Sequence, residues 1–262
     1  MTAELLEELA LGAKRGQLKL HVINYLLRHR TATMSDIAKE LSVSAPTASR
    51  ILQELIDAGC VQEEGKLEIE AGRFPMLFGL KPEGGYFIGV DVKRSYINIG
   101  LINLQSELLE VEYDLPFVLE NTPEAVEEIC RIIDEFITRT GRQRSEILNI
   151  NINIPGRINP ATGHSYTLFN FYSDQALSEV LGKRLGTRVS IDNDTRGMAF
   201  GEFTQGCGKG GGGLLDLPGP GPHGGGVGQI LGRGPGPDVA ARGPLGAEVV
   251  PLDQDVGAHS RT

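Results

Sequence analysis

Two short helical patterns separated by a three-residue break, all between Met34 and Gly59, restrict this chain more than any other feature. In MSDIAKELSVSAPTASRILQELIDAG, Asp36 to Leu41 predicts a helix with Ile37 and Leu41 four apart on one face, and Ser42 to Ser44 end it. A second helix follows directly. Ser44 is a suitable N-cap, and Pro46 falls in the first turn, where a missing N–H costs little. Ile51, Leu52 and Leu55 supply the apolar stripe until Gly59 stops the helix.

Two helices across so tight a turn make a helix-turn-helix, whose second helix enters the major groove of DNA. On that reading Ser44, Ala45, Thr47, Ser49 and Arg50 face base edges and phosphates. The same pattern also fits an ordinary pair of helices in a small domain. What flanks the pair weighs between the two. Gln17 to Arg30 carries Leu18, Val22, Tyr25 and Leu26 at helical spacing, which predicts a helix packed behind the pair. Cys60 to Glu64 and Lys66 to Glu70 predict two short strands turning at Gly65, then the loop Ala71 to Pro75 and an apolar run from Met76 to Leu80. Helices followed by a hairpin give a winged helix-turn-helix over residues 17–82, preceded by a helical extension over residues 1–16. Arg73, in the loop, is the wing residue placed to reach a minor groove or a phosphate; its other reading is a solvated loop arginine. Glu63, Glu64, Glu68 and Glu70 oppose a phosphate grip by the hairpin itself, so the wing is expected to act through its tip.

Composition sets limits on this reading. At 262 residues and 40% hydrophobic content the chain can bury a core and divides most simply into two domains. A net charge of −9 argues against a protein that coats nucleic acid broadly. Residues 17–60 nevertheless hold Lys19, Arg28, Arg30, Lys39 and Arg50 against Asp36, Glu40, Glu54 and Asp57, a local balance compatible with DNA. Cys60, Cys130 and Cys207 are odd in number and widely spaced, which suits reduced thiols. The amphipathic, acidic start MTAELLEELALGAKRG is unlike a signal peptide, and no apolar run approaches ~20 residues. The expectation is a cytoplasmic protein with no membrane partner.

From Tyr86 the period changes. YFIGVDV, YINIGLIN and LLEVEYDL are strand-like runs, followed by Thr122-Pro123 and an amphipathic helix from Glu124 to Thr140. ILNININIPG is another strand. Asp174 to Leu185 is helical, Arg188 to Ile191 a strand, and Thr195 to Phe203 a further helix. The order βββαβαβ with a last helix is that of a ribonuclease-H-like or actin-like lobe, so the fold class is α/β behind a winged helix-turn-helix.

A polyol ligand needs paired donors and acceptors in a concave site, and Asn and Asp at the C-terminal ends of strands supply them. Asn193 and Asp194 are so placed. The competing role for Asp194 is a helix N-cap serving the amides of Arg196 or Gly197. Gly156 and Arg157 either shape the same pocket or form only a turn, and His164 is read as a solvated loop residue.

The winged head, the loop AGRFP, the strand GYFIGVDV, the segment NIPGRINPATG and the run VSIDNDTRGMAFGE together resemble the ROK family of repressors, open reading frames and kinases, over residues 17 to about 209. Members with a DNA-binding head resemble sugar-responsive transcriptional regulators, and those without it resemble sugar kinases. The resemblance implies that Asp194 matches the general base of the kinases, a position that holds sugar by hydrogen bonds in the regulators. It also implies that Asn170, in LFNF, contacts sugar. The kinases cradle ATP phosphates with a turn of the form D-x-G-G-T. Here Asp91-Val92-Lys93-Arg94-Ser95 puts bulky residues in place of the glycines, which disfavours close approach of a phosphate; Lys93 and Arg94 either attract phosphate as charges or, as expected on a β-turn, are solvated.

After Lys209 the family continues with a second lobe that carries a further phosphate loop, a sugar-contacting glutamate and a histidine with a zinc-binding cysteine cluster. Residues 211–262 instead hold 15 Gly and 7 Pro with no Lys, Asn, Cys or aromatic residue. Such a segment cannot bury enough apolar surface to offset its ordering entropy, and residues 210–262 are expected to be disordered. The abrupt change reads as an out-of-frame segment, with a natural Gly/Pro-rich tail as the other reading. Residues 83–209 are then the N-terminal lobe of an incomplete ROK sugar-binding domain. The expected function is a DNA-binding regulator, a repressor of carbohydrate-utilisation genes, that is not an enzyme and has no cofactor or metal of its own. Its expected partners are a double-stranded DNA operator, a sugar or sugar-phosphate effector and further copies of itself in a homo-oligomer. The alternatives are a ROK-type kinase that moves phosphate from ATP to a hexose, and an inert product of a disrupted gene.

Overall fold

Capping and apolar spacing account for the helices of the N-terminal part. The structure is a computed structural model that describes residues 1–66, 75–172 and 175–204. Helix α1 (Ala3–Ala10) starts where the Thr2 hydroxyl accepts the amide of Leu5, and Leu5 is buried. Helix α2 (Lys14–His29) turns Val22, Ile23 and Leu26 inward and leads into a three-residue strand, β1 (Thr31–Thr33). Helix α3 (Met34–Glu40) opens with a capping box: the Asp36 amide donates to Thr33 Oγ1 at 3.2 Å, and the Thr33 amide donates to Asp36 Oδ2 at 2.9 Å. The Thr33 hydroxyl and amide hold the Asp36 carboxyl below its ordinary pKa. Ser42, at a φ of 52°, makes the turn, and α4 (Ala45–Asp57) follows with Pro46 in its first turn and Ala48, Ile51, Leu52 and Leu55 buried. Ser44 occupies the cap position without a side-chain cap bond; its hydroxyl instead lies 2.9 Å from that of Thr47.

The hairpin differs from the one read in the sequence. Strand β2 (Val61–Lys66) runs through Gly65 instead of turning there, and it pairs antiparallel with β3 (Met76–Leu80), giving a sheet in the order β1-β3-β2. Gly65, at a φ of 111°, sits in a register shift between Glu63 and Gly65, so it bends the strand where a turn was expected. The apolar run Met76–Leu80 is the partner of β2, and it places buried Leu80 opposite buried Val61. Segment 67–70 and Arg73 lie outside the described residues. Behind the three helices, Lys19 is buried and ion-paired to Glu8 at 2.5 Å and Glu54 at 3.0 Å, with Arg15 also on Glu54, so α1, α2 and α4 meet at one charge cluster.

The second part is a five-stranded sheet in the order β10-β7-β4-β5-β6, built from β4 (Tyr86–Val92), β5 (Tyr96–Asn103), β6 (Leu108–Pro116), β7 (Ile147–Ile154) and β10 (Val189–Asn193). The β4-β5-β6 meander is antiparallel, while β4-β7 and β7-β10 are parallel. Helix α5 (Pro123–Thr140) begins at a Thr122 cap and ends at Gly141 in the left-handed region. It buries Ile129, Cys130, Ile133 and Phe136 in the core that also takes Ile150, Ile152 and Ile154 of β7 and Leu181 and Leu185 of α6 (Leu177–Leu185). This is the ribonuclease-H-like, actin-like arrangement. A small hairpin, β8 (Ile158–Asn159) with β9 (His164–Ser165), lies between β7 and α6, and α7 (Asp194–Thr204) continues from β10 without a break.

Head and lobe share side chains. Leu104, at the end of β5, and Leu148, of β7, are buried in the same apolar cluster as Val22, Leu26, Ile51 and Leu80 of the head. Gln105 Nε2 donates to the carbonyl of Leu80 at 2.6 Å, and Arg30 donates to the carbonyl of Gln105 at 3.2 Å. No helix among the described residues is long and apolar enough to cross a membrane. The Gly/Pro-rich segment 210–262 and Cys207 lie outside the described residues.

Two outcomes follow from this packing. Replacing Lys19 by Met leaves Glu8 and Glu54 without their shared buried cation and is expected to lower the unfolding free energy by about 2 kcal/mol; a urea titration with an unchanged midpoint would contradict that. Burial pushes the thiols of Cys60 and Cys130 up to about 12. Both should therefore escape iodoacetamide at pH 8 in the folded chain and react only after denaturation, as read by peptide mass mapping.

Candidate DNA interface and sugar site

Helix α4 presents two unlike faces. Ala48, Ile51, Leu52 and Leu55 hold it to the head core, while Ser44, Ala45, Ser49 and Arg50 are exposed and Thr47 is half-buried. Arg50 enters no ion pair among the described residues, whereas Arg15, Lys19 and His21 are each spent on a carboxylate. Gln53, one turn beyond Ser49, is exposed on the same side and donates to Asp57 at 2.8 Å.

The lobe's candidate site is built where β10 runs into α7. Asp194 is the first residue of the helix, and the cap belongs to its neighbour: the Arg196 amide donates to Asn193 Oδ1 at 3.1 Å. That removes the N-cap role considered for Asp194 and releases its carboxylate from the helix end. Asn193 Nδ2 donates both to the carbonyl of Gly156, at 2.8 Å, and to Asp194 Oδ1, at 3.0 Å. One asparagine thereby joins the β10 end, the turn after β7 and the aspartate. Gly197 lets the helix come this close, because a Cβ there would stand 2.5 Å from Asn153 Nδ2 of β7.

Beneath the site the sheet face is polar, with Asn151 and Asn153 buried and Asn149 and Ser190 half-buried. Asn149, Asn151 and Asn153 alternate with the core isoleucines of β7. Asn151 Nδ2 donates to Asn153 Oδ1 at 3.0 Å, Ser190 Oγ donates to Asn151 Oδ1 at 2.9 Å, and Asn149 Nδ2 donates to Ser190 Oγ at 2.9 Å. On β10, Asp192 takes the amide of Asn193 at 2.8 Å and an ion pair from Arg196 at 3.3 Å. This network fixes the strand ends that carry Asn193 and Asp194.

The turn after β4 is committed to its own hairpin. The Lys93 amide donates to the carbonyl of Tyr96, and the carbonyls of Ser95 and Arg94 accept from Phe117 and Leu119. Lys93 is not the solvated turn residue expected: its ammonium lies 2.9 Å from Asp91 Oδ1, a buried oxygen, and 3.9 Å from Asp194 Oδ2. Arg94 is exposed, as read. Sequence spacing gave no hint of the pairing, because Lys93 and Asp194 are a hundred residues apart and meet only through the sheet.

The remaining expected residues gather less tightly. Arg157 stacks its guanidinium on the ring of Tyr166 at 5.3 Å, and its amide donates to Thr167 Oγ1 at 3.0 Å, tying it and Gly156 to the loop before Asn170. Asn170 is exposed; its Oδ1 accepts from Asn121 at 3.3 Å, and Asn121 in turn accepts the amide of Phe169. The nitrogen Nδ1 of His164 is occupied by the carbonyl of Thr162, 3.0 Å away. Among the described residues no group of three or more His, Cys, Asp or Glu is arranged to hold a metal ion. The chemistry available is hydrogen bonding to hydroxyls by carboxylate, amide and ammonium groups, without a backbone cradle for phosphate at the β4 turn.

Comparison with known proteins agrees with this division. Residues 16–66 match the MarR family and residues 87–212 match the ROK family. The xylose repressor of Caldicellulosiruptor bescii is 27% identical over 70% of this chain and 46% of its own length. The DNA-binding transcriptional dual regulator NagC of Escherichia coli is 25% identical over 65% of this chain and 42% of its own. Among solved structures, a ROK family transcriptional regulator described as a homologue of the E. coli MLC protein superposes with a TM-score of 0.52 at 24% identity, over 66% of this chain and 44% of that one. The chain spans a little under half the length of the curated relatives it matches. The first part of the chain is thus similar to the MarR family and the second part to the ROK family.

Proposed function

We propose that this chain is the DNA-reading head and first lobe of a sugar-responsive repressor of carbohydrate genes. In this reading residues 17–82 are the head, residues 1–16 its brace and residues 83–209 the first lobe of the sensor. The observation that carries it is the pairing, in one chain, of an α4 face that leaves Arg50 unspent with a strand end where Asn193 takes the capping duty and frees Asp194 for a ligand. Ser44, Ala45, Thr47, Ser49 and Arg50, together with Gln53, read the operator; Arg73 is proposed as the wing contact from its sequence position alone. Asn193, Asp194, Gly156, Arg157 and Asn170 are the sugar-facing set. The names of the relatives make xylose and N-acetylglucosamine the first effectors to try. As in other repressors of symmetric operators, the working form is a homo-oligomer.

A non-enzymatic role is supported by the β4 turn, whose Lys93 amide is already spent inside the hairpin and which offers no glycine for a phosphate to approach. With ATP and a panel of pentoses and hexoses, a coupled assay should give no turnover. Turnover that disappears in Asp194→Ala would instead make the chain a kinase. For the DNA half, the chain should retard a fragment carrying the region upstream of its own gene, and Arg50→Ala should weaken that complex by roughly tenfold or more. Equal retardation by both proteins removes α4 as the reading element.

A further inference from the structure

The sugar-facing residues named above come from strand ends and loops, and none of them is a cation placed beside Asp194. We propose that Lys93 is a further sugar-contacting residue, and that Lys93 and Asp194 together form a clamp for two neighbouring hydroxyls of a sugar ring. The proposal rests on the sugar-sensor reading and adds the class of ligand group recognised, a vicinal diol.

The geometry has three parts. First, the two oxygens of Asp194 are unequal. Oδ1 is engaged by Asn193 Nδ2 at 3.0 Å and by Thr195 Oγ1 at 3.5 Å, whereas Oδ2 faces the Lys93 ammonium. Second, Lys93 is anchored from behind: its amide closes the hairpin to Tyr96, and its Nζ sits 2.9 Å from the buried carboxylate of Asp91. Third, the Nζ–Oδ2 separation of 3.9 Å is beyond the range of a direct hydrogen bond, about 2.7–3.2 Å. The two groups are attracted but do not satisfy each other. An ammonium carries three donors, its contact with Asp91 is an ion pair without hydrogen-bond geometry, and Asp194 Oδ2 keeps acceptor capacity.

A donor and an acceptor held side by side, each unsatisfied by the other, complement a pair of adjacent hydroxyls. One hydroxyl oxygen accepts from Lys93 Nζ, and its neighbour donates to Asp194 Oδ2. Both bonds are charge-assisted, the stronger class for a neutral ligand. Both side chains remain 21% exposed, so a ligand can reach them without either having to unfold from its neighbours. A single hydroxyl or a ligand lacking the adjacent pair would satisfy one group and leave the other wanting.

The test uses the full chain, titrated calorimetrically with D-xylose, D-glucose and N-acetylglucosamine, and then Lys93→Met and Lys93→Gln with whichever sugar binds. Lys93→Met should weaken binding roughly tenfold or more, and Lys93→Gln, which keeps an N–H donor, should recover part of the loss. Equal affinity in Lys93→Met and the unaltered chain overturns the clamp while leaving the sugar reading in place. No binding of any of the three sugars by the unaltered chain removes the sugar reading and the clamp with it. Should Lys93→Met not fold, monodeoxy analogues of the bound sugar decide the matter on the unaltered chain. Loss of either of two adjacent hydroxyls must then cost affinity, and a series in which no adjacent pair matters overturns the proposal.

Discussion

Strand β7 is the element on which the rest of the lobe depends, because its two faces do opposite work. Ile150, Ile152 and Ile154 are fully buried against α5 and α6, each contributing on the order of 1.5–3 kcal/mol by leaving water. The asparagines between them are buried too, where an unmet amide would cost about 1–3 kcal/mol. The lobe tolerates them because Ser190 and the asparagines hydrogen-bond one another across the β7-β10 pair. Strict alternation then makes register obligatory: a slip of one residue would drive asparagines into the isoleucine core. The same register sets the end of β10 beside the turn after β7, which is what lets Asn193 reach Gly156.

Much of this was legible in the sequence. The αα turn, the three-strand meander and the long amphipathic helix each rest on local periodicity, and local periodicity is what a single sequence displays. The hairpin was misjudged for a reason of the same kind: Gly65 looks like a turn to a local rule, but the choice of partner for β2 is a competition between distant segments. Met76–Leu80 is that partner, and Leu80 is buried opposite Val61. At the junction of β10 and α7, the residues proposed for the site can be named from the sequence, but their hydrogen-bond partners cannot. Asn193 and Asp194 are adjacent and chemically alike, and only the start of α7 decides which one serves the helix.

Charge shows the same limit. In sequence Lys19 has no acidic residue nearer than Glu8, and Lys93 stands two positions after Asp91. One is buried at the meeting of three helices and braces the head. The other is held at the turn after β4 by Asp91, beside a second carboxylate it does not fully satisfy. The difference arises from elements far apart along the chain, Glu8 and Glu54 for the first and Asp194 for the second. Net charge, at −9, hides both.

The sharing of Leu104 and Leu148 with the head core bears on how such proteins can be rebuilt. A head whose interior is completed by two leucines from the next domain is not a portable cassette. Cut at the loop before β4 and grafted onto a foreign sensor, it would arrive with a hole where Leu104 sat and an unmatched Leu80 carbonyl where Gln105 was bound. A transplant of the head in this architecture therefore has to take Leu104, Leu148 and Gln105 with it, since the seam between head and lobe runs through a core and not through a linker.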